Sequence, residues 1–457
     1  MTSALVENQP LILMVAGMRP TACRHMSFRR AGDANVRHVK TIWQRTWGAL
    51  GPGLTTGAAD DDPSGIATYS QAGAQFGYSL TWTMLLTFPF MAAIQLVSAL
   101  IGWHTRKGLA ANIAARLPRS VLLLLVGLLV IANTVNIAAD LAAMGEVLRL
   151  VIGGSALLYA LAFGVACLLA EIAVPYHSYA SYLKFLTWAL LVYVATAFIV
   201  RVPWGEVWQS TLLPSISLDR NLLLMIVAIF GTTISPYLFF WQASQEAEDS
   251  RLSHRARHRA RALARQDAFR HIALDTWIGM FVSNFVAFFI IVTTAATLGA
   301  HGVTKIETAA QAAEALRPIA GELTFVLFAA GIIGTGMLAV PVLAGSAAYA
   351  VAESFGIVGS LELPASRALG FYAIVGAATL GGAGLAATKI DPIAMLFWAA
   401  VLNGIVSVPI MAATMLTVSG KMRDRLEMPR WLEILGWLAT ALMALAVGAY
   451  ALASFKA

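Results

Sequence analysis

The chain has 457 residues, of which 59% are hydrophobic and only 12% are charged. This composition excludes a soluble globular protein and leaves no sizeable water-exposed domain beside the apolar segments. A net charge of +7 is typical of some nucleic-acid binders, but in so apolar a chain it indicates basic loops that face anionic lipid.

Long apolar segments recur along most of the chain and predict an all-α polytopic membrane protein with about 11 transmembrane helices. The expected limits, in chain order, are 49–76, 79–104, 119–148, 156–174, 180–200, 221–246, 267–298, 323–352, 369–387, 390–417 and 432–455. The first and the sixth are expected to be broken, because each contains a proline beside polar residues. In lipid, a broken helix is tolerated only where it is buried in protein or lines a wet cavity.

The distribution of basic residues gives independent evidence on orientation. With the N-terminus in the cytoplasm, 24 of the 31 Lys and Arg fall on the cytoplasmic side. They lie in the tail and in segments 105–119, 175–184, 251–270, 353–368 and 421–430. This excess predicts the orientation and supports an odd number of spans.

The two breaks fall at corresponding places in two halves of the chain, which then cross the membrane in opposite directions. Such an inverted repeat is typical of secondary transporters, with the substrate site at the breaks. We expect a first five-helix repeat over 46–201, a second over 221–417 and an extra C-terminal helix over 430–457. Residues 1–45 are expected to form a basic cytoplasmic tail, within which Met18 and Met26 are alternative start sites.

The first break contains three consecutive acids, Asp60, Asp61 and Asp62, followed by Pro63. A carboxylate at the centre of a membrane helix costs roughly 2.5–3.5 kcal/mol, so such groups usually face a cavity and serve a function. Pro63 disfavours helical geometry at Asp62 and leaves the nearby carbonyl of Ala59 without a helical partner. A carboxylate beside free carbonyls suits a hard cation.

These considerations predict different roles for the three acids. Asp62 is expected to contact a metal ion directly or through water. Asp61 is either a second ligand or a charge at a water-filled mouth, and the sequence leaves this open. Asp60 is expected at that mouth, where it only attracts cations.

Three segments together resemble the Nramp family of divalent-metal transporters. They are GPGLTTGAADDDPSGIATYSQAGAQFGYSLTW at 51–82, AADLAAMGE around Asp140, and GTTISPYLFFWQASQ at 231–245. The resemblance covers roughly residues 48–417. It implies a LeuT-like 5+5 inverted repeat with broken helices 1 and 6, and it implies transport of divalent metal ions.

The chain departs from the family pattern at the residues that would select the metal. Gly65 stands where the family has an asparagine ligand, Ser235 where it has a methionine thioether, and Tyr237 where it has a histidine linked to proton movement. A thioether favours transition metals over Mg²⁺, and Mg²⁺ usually keeps several of its waters. The pattern resembles the Nramp-related magnesium transporter branch, which implies transport of Mg²⁺ and Mn²⁺ without coupled protons.

In the expected metal site, Asp62 is the principal charge, and Asp61 and Asp140 are further acids. The backbone carbonyls of Ala59 and Thr232 face the ion or its waters. Gly65 and Ser235 make room for the ion, and Tyr237 stands in place of the histidine. No resident cofactor is expected, and the transported ions are Mg²⁺ and Mn²⁺.

Several alternatives compete with this interpretation. A proton-coupled Mn²⁺/Fe²⁺ importer keeps the fold and is allowed by Asp140. A sodium-coupled amino-acid transporter has similar broken helices, but the acids at 60–62 would repel a substrate carboxylate. An enzyme is not expected. An intramembrane aspartyl protease built on Asp62 and Asp140 would need two acids that share one proton, but neither acid has a Gly-x-Gly-Asp-like setting, and three acids beside Pro63 are poorly suited to sharing a proton.

The expected partners are divalent metal ions and the lipid bilayer, with neither a nucleic acid nor an obligate protein partner. The compact loops suggest a bacterial inner membrane as the location.

Overall fold

The computed structural model describes residues 52–174, 188–214, 219–256, 263–361, 363–388 and 390–456. The expected cytoplasmic tail and the beginning of the expected fifth span lie outside these ranges. Over the described ranges the chain is helical and contains no β-strand.

The first half of the chain contributes eight helices. They are α1 (Pro52–Asp60), α2 (Pro63–Phe76), α3 (Trp82–Thr105), α4 (Leu109–Ala114), α5 (Arg119–Ile152), α6 (Ala156–Ala173), α7 (Leu191–Ile199) and α8 (Trp204–Leu212). The second half contributes ten more. They are α9 (Arg220–Thr233), α10 (Pro236–Ala256), α11 (Leu263–Thr297), α12 (Ala309–Glu314), α13 (Arg317–Ala320), α14 (Thr324–Phe355), α15 (Leu369–Ala386), α16 (Pro392–Val418), α17 (Lys421–Arg425) and α18 (Arg430–Lys456).

Nine segments of the described chain are long and apolar enough to cross a membrane, and all nine coincide with predicted spans. The first predicted span instead consists of the two short helices α1 and α2. Of the fifth, the structure describes the part that ends with α7. The predicted helical membrane architecture is therefore confirmed.

Both predicted breaks are present, and proline chemistry explains where they fall. Asp62 has extended backbone angles (φ −68°, ψ 168°) and caps α2, with Pro63 in the first turn. α9 ends at Thr233, after which Ile234 leaves helical geometry (φ −116°, ψ 58°) and Pro236 begins α10. In each case proline occupies a first-turn position, where its missing N–H is not needed.

Helix α5 packs against α6, α14, α15 and α16. Helix α11 runs along both halves of the first broken helix, whereas α9, before the second break, packs on α16. Each break is therefore enclosed by long, unbroken helices that hold its two ends in place.

Helix α1 lies unusually close to α11 because glycines meet there. A Cβ atom at Gly57 would lie 2.3 Å from the carbonyl oxygen of Gly279, and one at Gly279 would lie 2.4 Å from that of Gly53. The Asp275 carboxylate of α11 also accepts hydrogen bonds from the N–H groups of Gly53 (2.7 Å) and Leu54 (3.2 Å). A carboxylate at this end satisfies free N–H groups and complements the helix dipole.

The glycine contact predicts that Gly57→Ala destabilises the protein. The added methyl group would overlap the backbone of Gly279, and overpacking of this kind typically costs about 1–3 kcal/mol. Gly127→Ala is the matched control, because a Cβ there meets nothing within 4 Å. Thermal unfolding in detergent should show a lower midpoint for Gly57→Ala only, and equal midpoints for both variants would contradict the close contact.

Candidate metal site

Asp62 is buried at the first break and is held by three donors. Its Oδ1 accepts hydrogen bonds from the Ser64 hydroxyl (2.6 Å) and the Gly65 N–H (2.8 Å). Its Oδ2 accepts one from the Asn136 amide on α5 (2.8 Å). Oδ1 thus accepts two hydrogen bonds, whereas Oδ2 accepts one and keeps a lone pair for a further ligand, so the carboxylate is oriented without being saturated.

A chain of buried amides connects Asp62 to the second break. The Asn403 side chain on α16 donates to the Asn136 carbonyl oxygen (3.4 Å). One turn further along α16, the Ser407 hydroxyl donates to the carbonyl of Ile234, inside the second break (2.7 Å). Asn136 and Asn403 were not among the predicted ligands, although Asn136 lies one turn before Asp140 and so shares its face of the helix.

At the second break, the Ser235 hydroxyl lies within hydrogen-bond distance of the carbonyls of Gly231 (2.8 Å) and Thr232 (3.0 Å) and has one proton to donate between them. The Thr232 carbonyl, an expected ligand, keeps at least one lone pair for an ion. The Thr232 hydroxyl is buried and has no hydrogen-bond partner within the described parts of the chain.

The two breaks are joined directly by a hydrogen bond from the Tyr237 hydroxyl to the carbonyl of Ala59 (3.0 Å). Both residues were predicted site members, and the structure brings them together. The Tyr237 side chain is therefore held by a backbone carbonyl. The Ala59 carbonyl, which loses its helical partner at the first break, accepts this hydrogen bond instead.

Gly65 does not leave open space beside Asp62 in this structure. A Cβ at Gly65 would lie 2.9 Å from the Thr232 hydroxyl oxygen and 3.2 Å from the Tyr69 ring. The glycine instead permits close contact between α2 and α9. The expectation that Gly65 makes room for a hydrated ion is not met in this arrangement.

The other three acids are also buried, and they face different neighbours. Asp140 has no hydrogen-bond partner at either carboxylate oxygen within the described chain. Asp60 and Asp61 both contact the Ser283 hydroxyl of α11, at 2.6 and 2.9 Å. The expectation that Asp60 lies at a water-filled mouth is therefore wrong for this structure, because α11 covers it.

The residues that the structure describes bring no three His, Cys, Asp or Glu side chains together as a preformed metal cage. A cation at the breaks would instead combine the Asp62 carboxylate with amide, carbonyl and hydroxyl oxygens. Such an oxygen set suits hard cations that retain part of their water shell.

A cavity of about 660 Å³ lies between α2, α9, α16 and the segment before α12. Its polar and charged lining residues are Gln71, Gln75, Asn221, Thr304, Lys305, Glu307 and Asp391. Ala67, less than one turn beyond Gly65 on α2, is also part of its wall. The cavity therefore approaches the first break along α2.

Discontinuous helices that place a buried carboxylate at membrane depth define the class: a multi-pass membrane protein with the fold of secondary transporters. The family model described as "Natural resistance-associated macrophage protein-like" matches residues 53–453. The chain belongs to this family, Nramp.

Two relatives within the family are distant in sequence. The chain is 27% identical over 321 residues to the divalent metal cation transporter MntH of Erwinia tasmaniensis, covering 68% of this chain and 73% of that protein. It is also 27% identical over 316 residues to MntH of Yersinia pestis, covering 67% and 72% respectively.

Solved structures show the same fold. The manganese transporter of Eremococcus coleocola superposes with a TM-score of 0.65 at 18% identity, covering 89% of this chain and 86% of that one. Mhp1, a nucleobase-cation-symport transporter in a closed conformation, gives a TM-score of 0.53 at 13% identity, covering 89% and 93%. The predicted family and the LeuT-like fold are thus confirmed.

The position of Asn136 predicts that it orients Asp62 for metal binding. Asn136→Ala should weaken Mn²⁺ binding about 10–100-fold, as is typical when the partner of a metal-binding carboxylate is lost. Asn133→Ala is the control, since its amide bonds the Leu343 carbonyl and the Ser346 hydroxyl instead. Isothermal titration calorimetry measures both variants, and equal dissociation constants would refute the role of Asn136.

Proposed function

We propose that this protein is a secondary transporter that carries Mg²⁺ and Mn²⁺ across the membrane as partly hydrated ions, without coupled protons. The observation that carries the proposal is the buried Asp62 carboxylate, oriented by Asn136 at the point where both broken helices meet. The remaining lone pair of its Oδ2 and the neighbouring backbone oxygens supply the ligands that hard divalent ions prefer.

The donor atoms favour Mg²⁺ as a substrate. The position of the family's methionine thioether is occupied by Ser235, whose hydroxyl is bonded to its own helix. Without a soft ligand, the site loses the discrimination that favours transition metals. The names of the relatives, which include divalent metal cation and manganese transporters, support Mn²⁺ as a second substrate.

The same residues argue against proton coupling. Tyr237 stands in place of a histidine, and its hydroxyl is bonded to the Ala59 carbonyl. A tyrosine does not titrate between pH 5 and 8 as a histidine does. The membrane potential alone is sufficient, since a divalent ion gains roughly 4.6 kcal/mol on crossing 100 mV.

One observation favours a second candidate, a proton-coupled Mn²⁺ importer. Asp140 is fully buried and its carboxylate has no partner among the described residues. A buried acid of this kind is suited to carry a proton. In this alternative, Asp140 takes up a proton each time a metal ion passes Asp62.

The cavity beside α2 is the proposed entrance for the ion. It is lined by two acids, Glu307 and Asp391, of which Glu307 pairs with Lys305 at 3.0 Å. Its wall includes Ala67 on α2 and so leads toward the Asp62 carboxylate. With the orientation predicted from the basic residues, this entrance faces away from the cytoplasm.

Uptake into proteoliposomes at a set negative-inside potential tests the function. We expect Mg²⁺ entry by the native protein, at least a tenfold loss for Asp62→Ala, and no change of an enclosed pH dye. Glu146→Ala is the control, because Glu146 forms a surface ion pair with Arg149 on the same helix as Asn136. Entry of Mn²⁺ alone, with acidification of the lumen, would favour the proton-coupled alternative.

A thioether at position 235 should change the selectivity. We expect Ser235→Met to raise the ratio of Mn²⁺ to Mg²⁺ uptake on the order of tenfold, because sulfur binds the softer ion better. Ser235→Ala removes the hydroxyl without adding sulfur, and should leave the ratio near the native value. If both variants keep the native ratio in a competition assay, residue 235 does not select the metal.

A further inference from the structure

Two side chains from different helices hold the turn between α3 and α4. The Arg251 guanidinium of α10 donates two hydrogen bonds to the carbonyl of Arg106, at 2.9 and 2.6 Å. On the other side of the turn, the Glu353 carboxylate of α14 accepts a hydrogen bond from the N–H of Ala111 (3.1 Å). The Gly108 N–H also donates to this carboxylate. Helices α10 and α14 are therefore joined through the turn.

The backbone of this turn is fitted to its two partners. Arg106 has left-handed backbone angles (φ 56°), which are uncommon for residues other than glycine. Strained residues of this kind persist where their surroundings fix them, and they are frequent in segments that switch. Gly108 leaves no room for a side chain, since a Cβ there would overlap the Glu353 carboxylate and lie 2.6 Å from the Ser244 hydroxyl oxygen of α10.

A second contact joins the same two helices one turn away. The Tyr349 hydroxyl of α14 donates a hydrogen bond to the Glu248 carboxylate of α10 (2.9 Å). Both residues are buried. Tyr349 precedes Glu353 by four positions and Glu248 precedes Arg251 by three, so each pair shares one face of its helix.

The turn and the cavity beside α2 lie on opposite sides of the breaks. The cavity is lined by Asn221, at the start of α9, whereas the turn contacts Arg251 of α10. These two residues lie at opposite ends of one segment long enough to cross a membrane, Arg220–Arg251. Helices α10 and α14 both pack against α1, which leads to the first break.

We propose that Glu353 and Arg251, with the turn they hold, form a latch that closes the side of the transporter opposite the cavity. This inference rests on the proposed transport function, but not on the identity of the ion. Glu353 is a positioning residue, because it touches no ion and acts through α10 and α14. While the latch is closed, these helices stay together against α1. When Glu353 releases the turn, they separate and the ion leaves past α1. With the predicted orientation, this is the cytoplasmic side.

The test measures how fast a soluble maleimide labels a single cysteine on either side of the breaks, in detergent. The two native cysteines are first replaced, by Cys23→Ser and Cys167→Ala. Thr56→Cys then reports on the latched side, because Thr56 lies in α1 and is 0% exposed. Ala67→Cys reports on the cavity, since Ala67 forms part of its wall.

Glu353→Gln keeps the size of the side chain but leaves one acceptor oxygen where the carboxylate has two. We expect it to raise the labelling rate of Thr56→Cys about tenfold, as for the loss of a hydrogen bond to a charged group, and to lower the rate of Ala67→Cys. Arg251→Ala should act in the same direction. Because Arg251 is exposed, this variant keeps the test valid if Glu353→Gln does not fold. Glu433→Gln is the matched control and should change neither rate, since that glutamate bonds Arg423 instead.

The opposite changes at the two reporters are what a merely structural role would not produce. A rise at both would show a loosened bundle and would overturn the latch, as would unchanged rates in both latch variants. Mg²⁺ and Mn²⁺ uptake by the native protein separates the two hypotheses. Uptake with unchanged labelling leaves the proposed function standing without the latch. Opposite changes without uptake of either ion overturn the proposed function and keep the latch.

Discussion

One constraint governs the structure. The acidic side chains and the unpaired backbone groups at the two breaks are buried, where little water can bind them. Every carbonyl and carboxylate at the breaks must find a partner inside the protein or bind an ion. The surrounding helices supply those partners from far along the chain, as with Tyr237 for Ala59 and Asn136 for Asp62. Helix α5 serves the same need, because it brings Asn136 to the first break.

The oxygen atoms at the breaks divide into two groups. One group is committed: the Ser235 hydroxyl bonds its own helix, and the Ala59 carbonyl bonds Tyr237. The other is available and consists of the free lone pair of Asp62 Oδ2, the carboxylate of Asp140 and the hydroxyl of Thr232. The first group keeps the breaks in shape, and the second provides the coordination chemistry. A rigid site with only a few available oxygen ligands can bind an ion and still release it.

Local sequence rules predicted much of this molecule because the relevant signals are local. The apolar segments defined nine described spans, and Pro63 and Pro236 placed both breaks. The importance of Asp62 follows from its position before a proline at membrane depth. Local rules missed the features that depend on packing between distant segments. One example is the contact of Asp60 with Ser283, which is 223 positions away in the sequence. In the same way, the backbone approach of α2 to α9 turned the expected space at Gly65 into a contact.

The hydrogen bond between Tyr237 and Ala59 has a consequence for kinetics. It links the two broken helices directly, and any motion that parts them must break it. A buried hydrogen bond contributes about 1 kcal/mol net, which corresponds to about a fivefold change in an equilibrium constant. This single phenol therefore biases the protein toward the arrangement in which the breaks are together, and it sets part of the barrier that each turnover must cross.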